Sequence, residues 1–397
     1  MVIKEASKHP YLSSLSKFAY RVSPEIQNKA LNISERLLNT TNRRYLTLDN
    51  VPFPETVDIE LTPICNLRCR MCWWWGENGI AKQMAKSKDP LMYNKLSTKE
   101  VLTIIHEVAD KGSSLYLSGA EVFTRPDIME ILNYAHIKNI PTALTTNGTL
   151  IKDNQIKELS TMNNLRLNFS IDGLENTHDY IRGKGNFEKT ISVIRKLLKA
   201  RGTHIYPVIN TNTTFSSEIL GEIYDIIDFL INLKVDGISF QHLWFTSESH
   251  AELQSNRMKT DFDIDERGHL SHIITTFPIN FIERLAFEVE KIQKHRYKVP
   301  VHVNPRLTRD QIIKYYTDLN FSKRSRCFVP WNKILIKADG EVMFCPDEWI
   351  TKWRIGNIRK QSISDLWNND LAVLFRNSLI SKGLFPICGR CCGINMN

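Results

Sequence analysis

Between Val57 and about Leu243 the apolar positions of the chain switch back and forth between two spacings. Short apolar runs at Val57–Leu61, Ser114–Leu117, Thr142–Thr145, Leu165–Ser170, Ile205–Thr211 and Gly237–His242 have the length and residue types of buried strands. The stretches between them, Thr98–Lys111, Asp127–Lys138, Asp153–Thr161, Phe187–Arg201 and Ser217–Leu233, carry apolar residues at helical spacing. Six strands joined by helices are expected to run parallel, because parallel neighbours need a crossover connection. The pattern predicts an α/β fold, a partial (β/α)6 TIM-like barrel over residues 51–245.

The flanks read differently. In residues 1–50, Ser23-Pro24-Glu25 supplies a helix start, and Ile26, Ala30, Ile33 and Leu37 fall on one helical face. The expectation is an N-terminal helical segment packed on the barrel. Lys29, Arg36, Arg43 and Arg44 leave membrane-surface contact through this helix as the alternative. Residues 246–322 form a helical connecting region, and 323–397 a small cysteine-rich α+β domain with a hairpin turning at Asp339-Gly340.

Composition changes this picture little. The 397 residues are 42% hydrophobic, ordinary for a soluble globular protein. A net charge of +9 hints at anionic partners. The basic residues are scattered, however, and build no stripe for nucleic acid, so no nucleic-acid partner is expected. No apolar run is long enough to span a bilayer and the start lacks a signal peptide, which predicts a cytoplasmic protein. A reducing compartment keeps the eight cysteines available to metal.

Three of them stand in the run Cys65-Asn66-Leu67-Arg68-Cys69-Arg70-Met71-Cys72, just past the first predicted strand. Three clustered thiols suit an iron–sulfur cluster that keeps one iron without a protein ligand, since cubanes usually take four cysteinates. Zinc is the alternative, but zinc sites usually pair Cys-x2-Cys with a second nearby pair, and the next cysteine here is Cys327. In a barrel, chemistry gathers where the strands end. That rim also receives Ser118-Gly119-Ala120-Glu121, Thr145-Thr146-Asn147-Gly148 and Ser170-Ile171-Asp172-Gly173.

Cys-x3-Cys-x2-Cys after a first strand, with this rim, resembles the radical S-adenosylmethionine enzymes. The resemblance implies that Cys65, Cys69 and Cys72 bind a 4Fe–4S cluster whose open iron takes the amino and carboxylate groups of S-adenosylmethionine. Ser118-Gly119-Ala120-Glu121 resembles the family's Gly-Gly-Glu-Pro motif, with Glu121 on the methionine ammonium. By the same resemblance Met71 packs on adenine, Asn147 and Ser170 meet the ribose or methionine parts, and Arg182 binds the cofactor carboxylate. One-electron cleavage would release a 5′-deoxyadenosyl radical that removes hydrogen from an unactivated carbon. An electron donor such as flavodoxin or ferredoxin is implied.

Near the C-terminus, Cys327, Gly340 and Cys345 resemble the hairpin of SPASM and twitch domains. With Cys388 and Cys391 they imply one auxiliary 4Fe–4S cluster; Cys392 is the alternative to its neighbour. Candidates for the substrate wall are Asn210, Asn212, Gln241, His242 and Trp244, with His242 and Asp347 as candidate catalytic bases. Trp73, Trp74 and Trp75 are expected to shield the cluster or line the mouth. Because fifty helical residues look too few for a peptide-recognition domain, the expected substrate is a small molecule, carbohydrate or lipid-linked compound. Peptide modification is the alternative, and a zinc-stabilised basic nucleic-acid-binding protein the alternative of another class.

Overall fold

The computed structural model describes residues 50–77, 79–265, 276–345 and 353–391. The expected N-terminal helix and its membrane contact, Asp347 and Cys392 lie outside them. Among the described residues no helix is long and apolar enough to cross a membrane.

Local signals set the elements. In the helix Thr98–Lys111, Ser97 accepts from the amide of Glu100 while Glu100 reaches back to the amide of Ser97, and Gly112 closes the far end in the left-handed conformation. Its buried residues Val101, Ile104, Ile105 and Val108 follow the three-four spacing. Each such side chain contributes roughly 1.5–3 kcal/mol on burial.

Among the described residues ten strands form one sheet: β1 (Thr56–Glu60), β2 (Ser114–Ser118), β3 (Thr142–Thr146), β4 (Leu165–Ser170), β5 (Val208–Thr214), β6 (Gly237–Gln241), β7 (Val301–Asn304), β8 (Lys333–Ile336), β9 (Glu341–Met343) and β10 (Gly356–Asn357). Their order is β10-β9-β8-β1-β2-β3-β4-β5-β6-β7. Every pair from β8 through β1 to β7 is parallel; β9 and β10 are antiparallel additions. The outer edge of β8 is taken by β9, so among the described residues β7 and β8 are not paired and the barrel is not closed by a β7–β8 ladder.

Six parallel strands were expected and the α/β partial barrel is present, with two differences. Strand β7 falls inside 246–322, the stretch read as purely helical. The hairpin of the cysteine-rich segment is continuous with the barrel, because Val57, Asp58 and Ile59 of β1 pair with Ile334, Leu335 and Ile336. Strand β5 starts later than expected, since Pro207 has no amide for the ladder.

Alternation gives the sheet two chemistries. Val57, Ile59, Leu117, Leu144, Leu167 and Phe240 point outward into the helices and are fully buried. The inward positions are polar and half-buried, among them Thr145, Asn168, Ser170, Asn210, Asn212, Ser239, Gln241, His302 and Asn304.

Candidate active site

Strand β1 hands the chain to the cysteine loop, which is fixed on two sides. On one side the amides of Ala120 and Glu121 donate to the carbonyls of Thr62 (2.8 Å) and Ile64 (3.1 Å). Gly119, at φ +129°, permits this approach: a Cβ there would meet the Thr62 carbonyl oxygen at 2.5 Å. On the other side the Arg70 amide donates to Ile181 O (2.9 Å) and its Nε to Tyr180 O (2.9 Å), with the guanidinium 4.2 Å over the Tyr180 ring. Within the loop, backbone amides of Leu67 and Trp75 donate to Sγ of Cys65 and Cys72, both at 3.3 Å.

Such donors favour thiolates, whereas burial opposes them. Burial pushes the Cys65 thiol up to about 12, with Glu121, Cys69 and Cys72 adding to the rise. Cys69 is raised by burial as well, although Arg182 pulls it down. A bound cation reverses this balance by replacing the protons.

Opposite charges flank the loop. Glu121 is almost fully buried, and its carboxylate accepts from Thr146 Oγ1 (2.7 Å), the Asn147 amide (2.7 Å) and the Phe123 amide (3.1 Å). Burial raises its pKa against these bonds. Arg182, the last residue of the helix Glu175–Arg182, donates from Nε to Asp172 Oδ2 at 2.6 Å, and its Nη1 lies 3.9 Å from Cys69 Sγ.

The Asn147 side chain is committed inside the protein. It donates to Asn66 Oδ1 (3.0 Å) and accepts from Thr149 N and Oγ1, while Asn66 donates to Thr149 Oγ1 (2.8 Å). This closed ring ties the cysteine loop to the end of β3. Met71 is half-buried against the core. Ser170 faces inward and stands in register with Asn212 of β5.

His242 differs from expectation as a substrate-wall base. It follows Gln241, an inward position, and therefore turns outward into Phe215, Tyr315 and Tyr316, 2% exposed, with Nδ1 3.0 Å from Tyr316 Oη. Burial lowers its pKa to about 3, so it is neutral. The inward imidazole is His302, which pairs in register with Ser239.

Sequence reasoning also missed Asn66, Thr149, Asp172 and the buried Lys337, whose Nζ lies 2.6 Å from Glu60 Oε2. Asp172 stood inside a quoted rim motif, and its carboxylic acid two residues past an inward serine was the available signal. The three tryptophans do sit at the loop: Nε1 of Trp74 and of Trp75 both donate to Pro63 O, at 2.7 and 2.8 Å. With Met84, Leu91 and Ala338 they form an apolar cluster against Cys65 and Cys72.

The second cysteine group assembles as well. Cys327 precedes the helix Val329–Asn332, Cys345 follows β9, and Cys388 and Cys391 belong to the turn Pro386–Arg390 and its end. Cys345 is half-buried, packed against the core, and its thiol is raised well above the usual range, first by burial and then by Cys327, Cys391 and Cys388. Burial likewise pushes Cys327 up to about 12. Ala338, at the tip of the hairpin between β8 and β9, packs in the tryptophan cluster and links the two groups.

Both groups fit clusters. Among the described residues no three His, Cys, Asp or Glu side chains close on a single ion. Within each group the cysteines nevertheless lie close enough to raise one another's thiols, so each group stands together as one set of soft donors. Three soft donors beside Glu121 and Arg182 suit a cluster with one open iron and a zwitterionic partner.

Comparisons agree with this geometry. Residues 59–230 match the Radical SAM superfamily, and residues 327–392 the SPASM iron-sulfur cluster-binding domain. The AdoMet-dependent heme synthase of Methanosarcina barkeri is 28% identical over 348 residues, 85% of this chain and 88% of that protein. The antilisterial bacteriocin subtilosin biosynthesis protein AlbA of Bacillus subtilis is 25% identical over 365 residues, 87% of this chain and 66% of its own length. Streptococcus suis SuiB, solved with the precursor peptide SuiA, shares the fold with a TM-score of 0.60 at 16% identity, over 94% of this chain and 77% of that one. The chain belongs to the radical S-adenosylmethionine enzymes, as a member with a C-terminal SPASM domain that uses S-adenosylmethionine, a 4Fe–4S cluster and auxiliary iron–sulfur ligation.

Proposed function

We propose that this enzyme modifies a peptide. The observation that carries the reading is the inward face of the open barrel, where Asn168, Asn210, Asn212, Ser239, Gln241 and Asn304 present amides and hydroxyls. Such groups match the amides of a peptide, which both donate and accept. Support also comes from the similarity to AlbA and from the fold shared with SuiB.

Bound at Cys65, Cys69 and Cys72, the cluster and S-adenosylmethionine supply a 5′-deoxyadenosyl radical that takes hydrogen from an unactivated carbon. The protein then has three tasks. Glu121 holds the methionine ammonium, and Arg182 supplies positive charge on the carboxylate side. Asn147 and Ser170 order the rim on which the nucleoside half rests, with Met71 against the base. Trp74, Trp75 and their apolar neighbours exclude water. Cys327, Cys345, Cys388 and Cys391 hold an auxiliary cluster suited to take an electron from the substrate, with flavodoxin or ferredoxin as the class of external donor.

A second reading, oxidation of a tetrapyrrole, is favoured by the extent of the match to the heme synthase. The polar inward face argues against it, because a macrocycle needs apolar walls. Anaerobic incubation of reconstituted enzyme with S-adenosylmethionine and dithionite, against a pooled synthetic peptide library and against iron coproporphyrin, tests the choice. Excess 5′-deoxyadenosine and a mass change in a peptide are expected; turnover with the porphyrin alone overturns the proposal.

A further inference from the structure

The resemblance gives Arg182 one task, on the cofactor carboxylate, but its surroundings give it another. Its side chain is 13% exposed and cannot swing freely. Nε is held by Asp172 Oδ2 at 2.6 Å, and Asp172, with no exposure, is itself fixed because Oδ1 accepts from the Thr214 amide at 2.8 Å. A third anchor is His178, whose Nδ1 accepts from the Asp172 amide at 3.2 Å. With one edge of the guanidinium fixed, the other is directed at the cysteine loop, Nη1 lying 3.9 Å from Cys69 Sγ.

We propose that Arg182, held by Asp172, sets the reduction potential of the cluster bound at Cys65, Cys69 and Cys72 by placing positive charge against the Cys69 sulfur. This rests on the cluster assignment of the proposed function. Net charge and hydrogen bonds to sulfur are the protein's main controls over cluster potential. Reduction adds one electron and one negative charge, with no bond made or broken at Arg182. A fixed cation next to a ligating sulfur therefore stabilises the reduced form more than the oxidised one, and does so strongly in a site screened from water. Asp172 carries the opposite charge and moderates the effect.

The pair makes a prediction of opposite signs. In reconstituted full-length enzyme, the cluster whose electron paramagnetic resonance signal changes on adding S-adenosylmethionine is titrated against potential. Arg182→Gln is expected to shift its midpoint to more negative values, and Asp172→Asn to more positive ones. The double variant Arg182→Gln/Asp172→Asn removes both charges and should return close to the parent, which also guards against misfolding of either single variant. Shifts of the same sign, or none, overturn the inference. So does an Arg182→Gln enzyme with an unchanged midpoint and a raised KM for S-adenosylmethionine, since that assigns the arginine to the cofactor alone. A parent that holds iron but shows no signal responsive to S-adenosylmethionine fails earlier, at the cluster assignment itself.

Discussion

A Cβ at Gly76 would lie 2.3 Å from the carbonyl oxygen of Cys72, closer than any side chain tolerates. The Gly76 amide donates to that same oxygen at 2.8 Å, so the turn that ends the cysteine loop depends on glycine. The clash is with backbone and cannot be relieved by a rotamer. Gly76→Ala is therefore expected to displace Cys72 and lower iron retention after reconstitution severalfold, while far-ultraviolet circular dichroism stays that of the parent. Full iron content in this variant would contradict the tight loop.

Glu121 is recognisable in the sequence as the acid of a motif, but its dependence on three donors is not. Gln has the same shape, yet its NH2 would face a donor wherever it points, since Thr146 Oγ1, Asn147 N and Phe123 N occupy both carboxylate oxygens. Losing the charge also removes the partner expected for the methionine ammonium. Charge-assisted bonds contribute about 1.5–3 kcal/mol, so Glu121→Gln should raise KM for S-adenosylmethionine roughly tenfold to a hundredfold. Measuring 5′-deoxyadenosine formation against cofactor concentration checks this; an unchanged KM would remove Glu121 from the cofactor.

What the sequence made legible was local. The helix Thr98–Lys111 was read to the residue because Ser97, Glu100 and Gly112 mark both ends. The helix at Ile223–Leu233 was read six residues too long because no comparable cap marks its start. Strand β7 is four residues between Pro300 and Pro305, too short to announce a period. The pairing of β8 with β1 joins residues far apart in the chain, which no local pattern encodes. His242 is the instructive case: the strand was found, but period-two alternation turns inward and outward on a single residue, and Gln241 took the inward place.

The buried histidines predict an acid-sensitive fold. His242 is held neutral to about 3 and His178 to about 4, both primarily by burial, whereas an unfolded histidine titrates near 6.5. Between these values the unfolded chain binds protons that the folded chain does not, so stability is complete above about pH 6.5 and falls as pH drops toward 3. His242→Phe, which keeps an aromatic ring among Phe215, Tyr315 and Tyr316, should flatten part of that decline and leave the His178 contribution. Urea midpoints of the apo-protein measured from pH 7 to pH 4 test it. Because the side chain faces the core, 5′-deoxyadenosine formation should be unaffected.

The two cysteine groups should separate by function. Cys345 lies half-buried beside Cys327, Cys388 and Cys391, and Cys345→Ala removes a thiolate from that group without touching the loop at Cys65. Iron per chain should fall by about half, the share of one of two four-iron clusters. Cleavage of S-adenosylmethionine under dithionite should persist, since Glu121, Arg182 and the three loop cysteines are intact. The triple replacement Cys65→Ala, Cys69→Ala, Cys72→Ala should do the reverse, keeping iron at the C-terminal group and forming no 5′-deoxyadenosine. Substrate conversion should fail in both, for different reasons: one protein makes the radical but has lost the acceptor for the second electron, and the other never starts. If Cys345→Ala instead abolished cofactor cleavage, the hairpin between β8 and β9 would be needed to build the first site. The contact of Ala338 with the tryptophan cluster would be the first place to look.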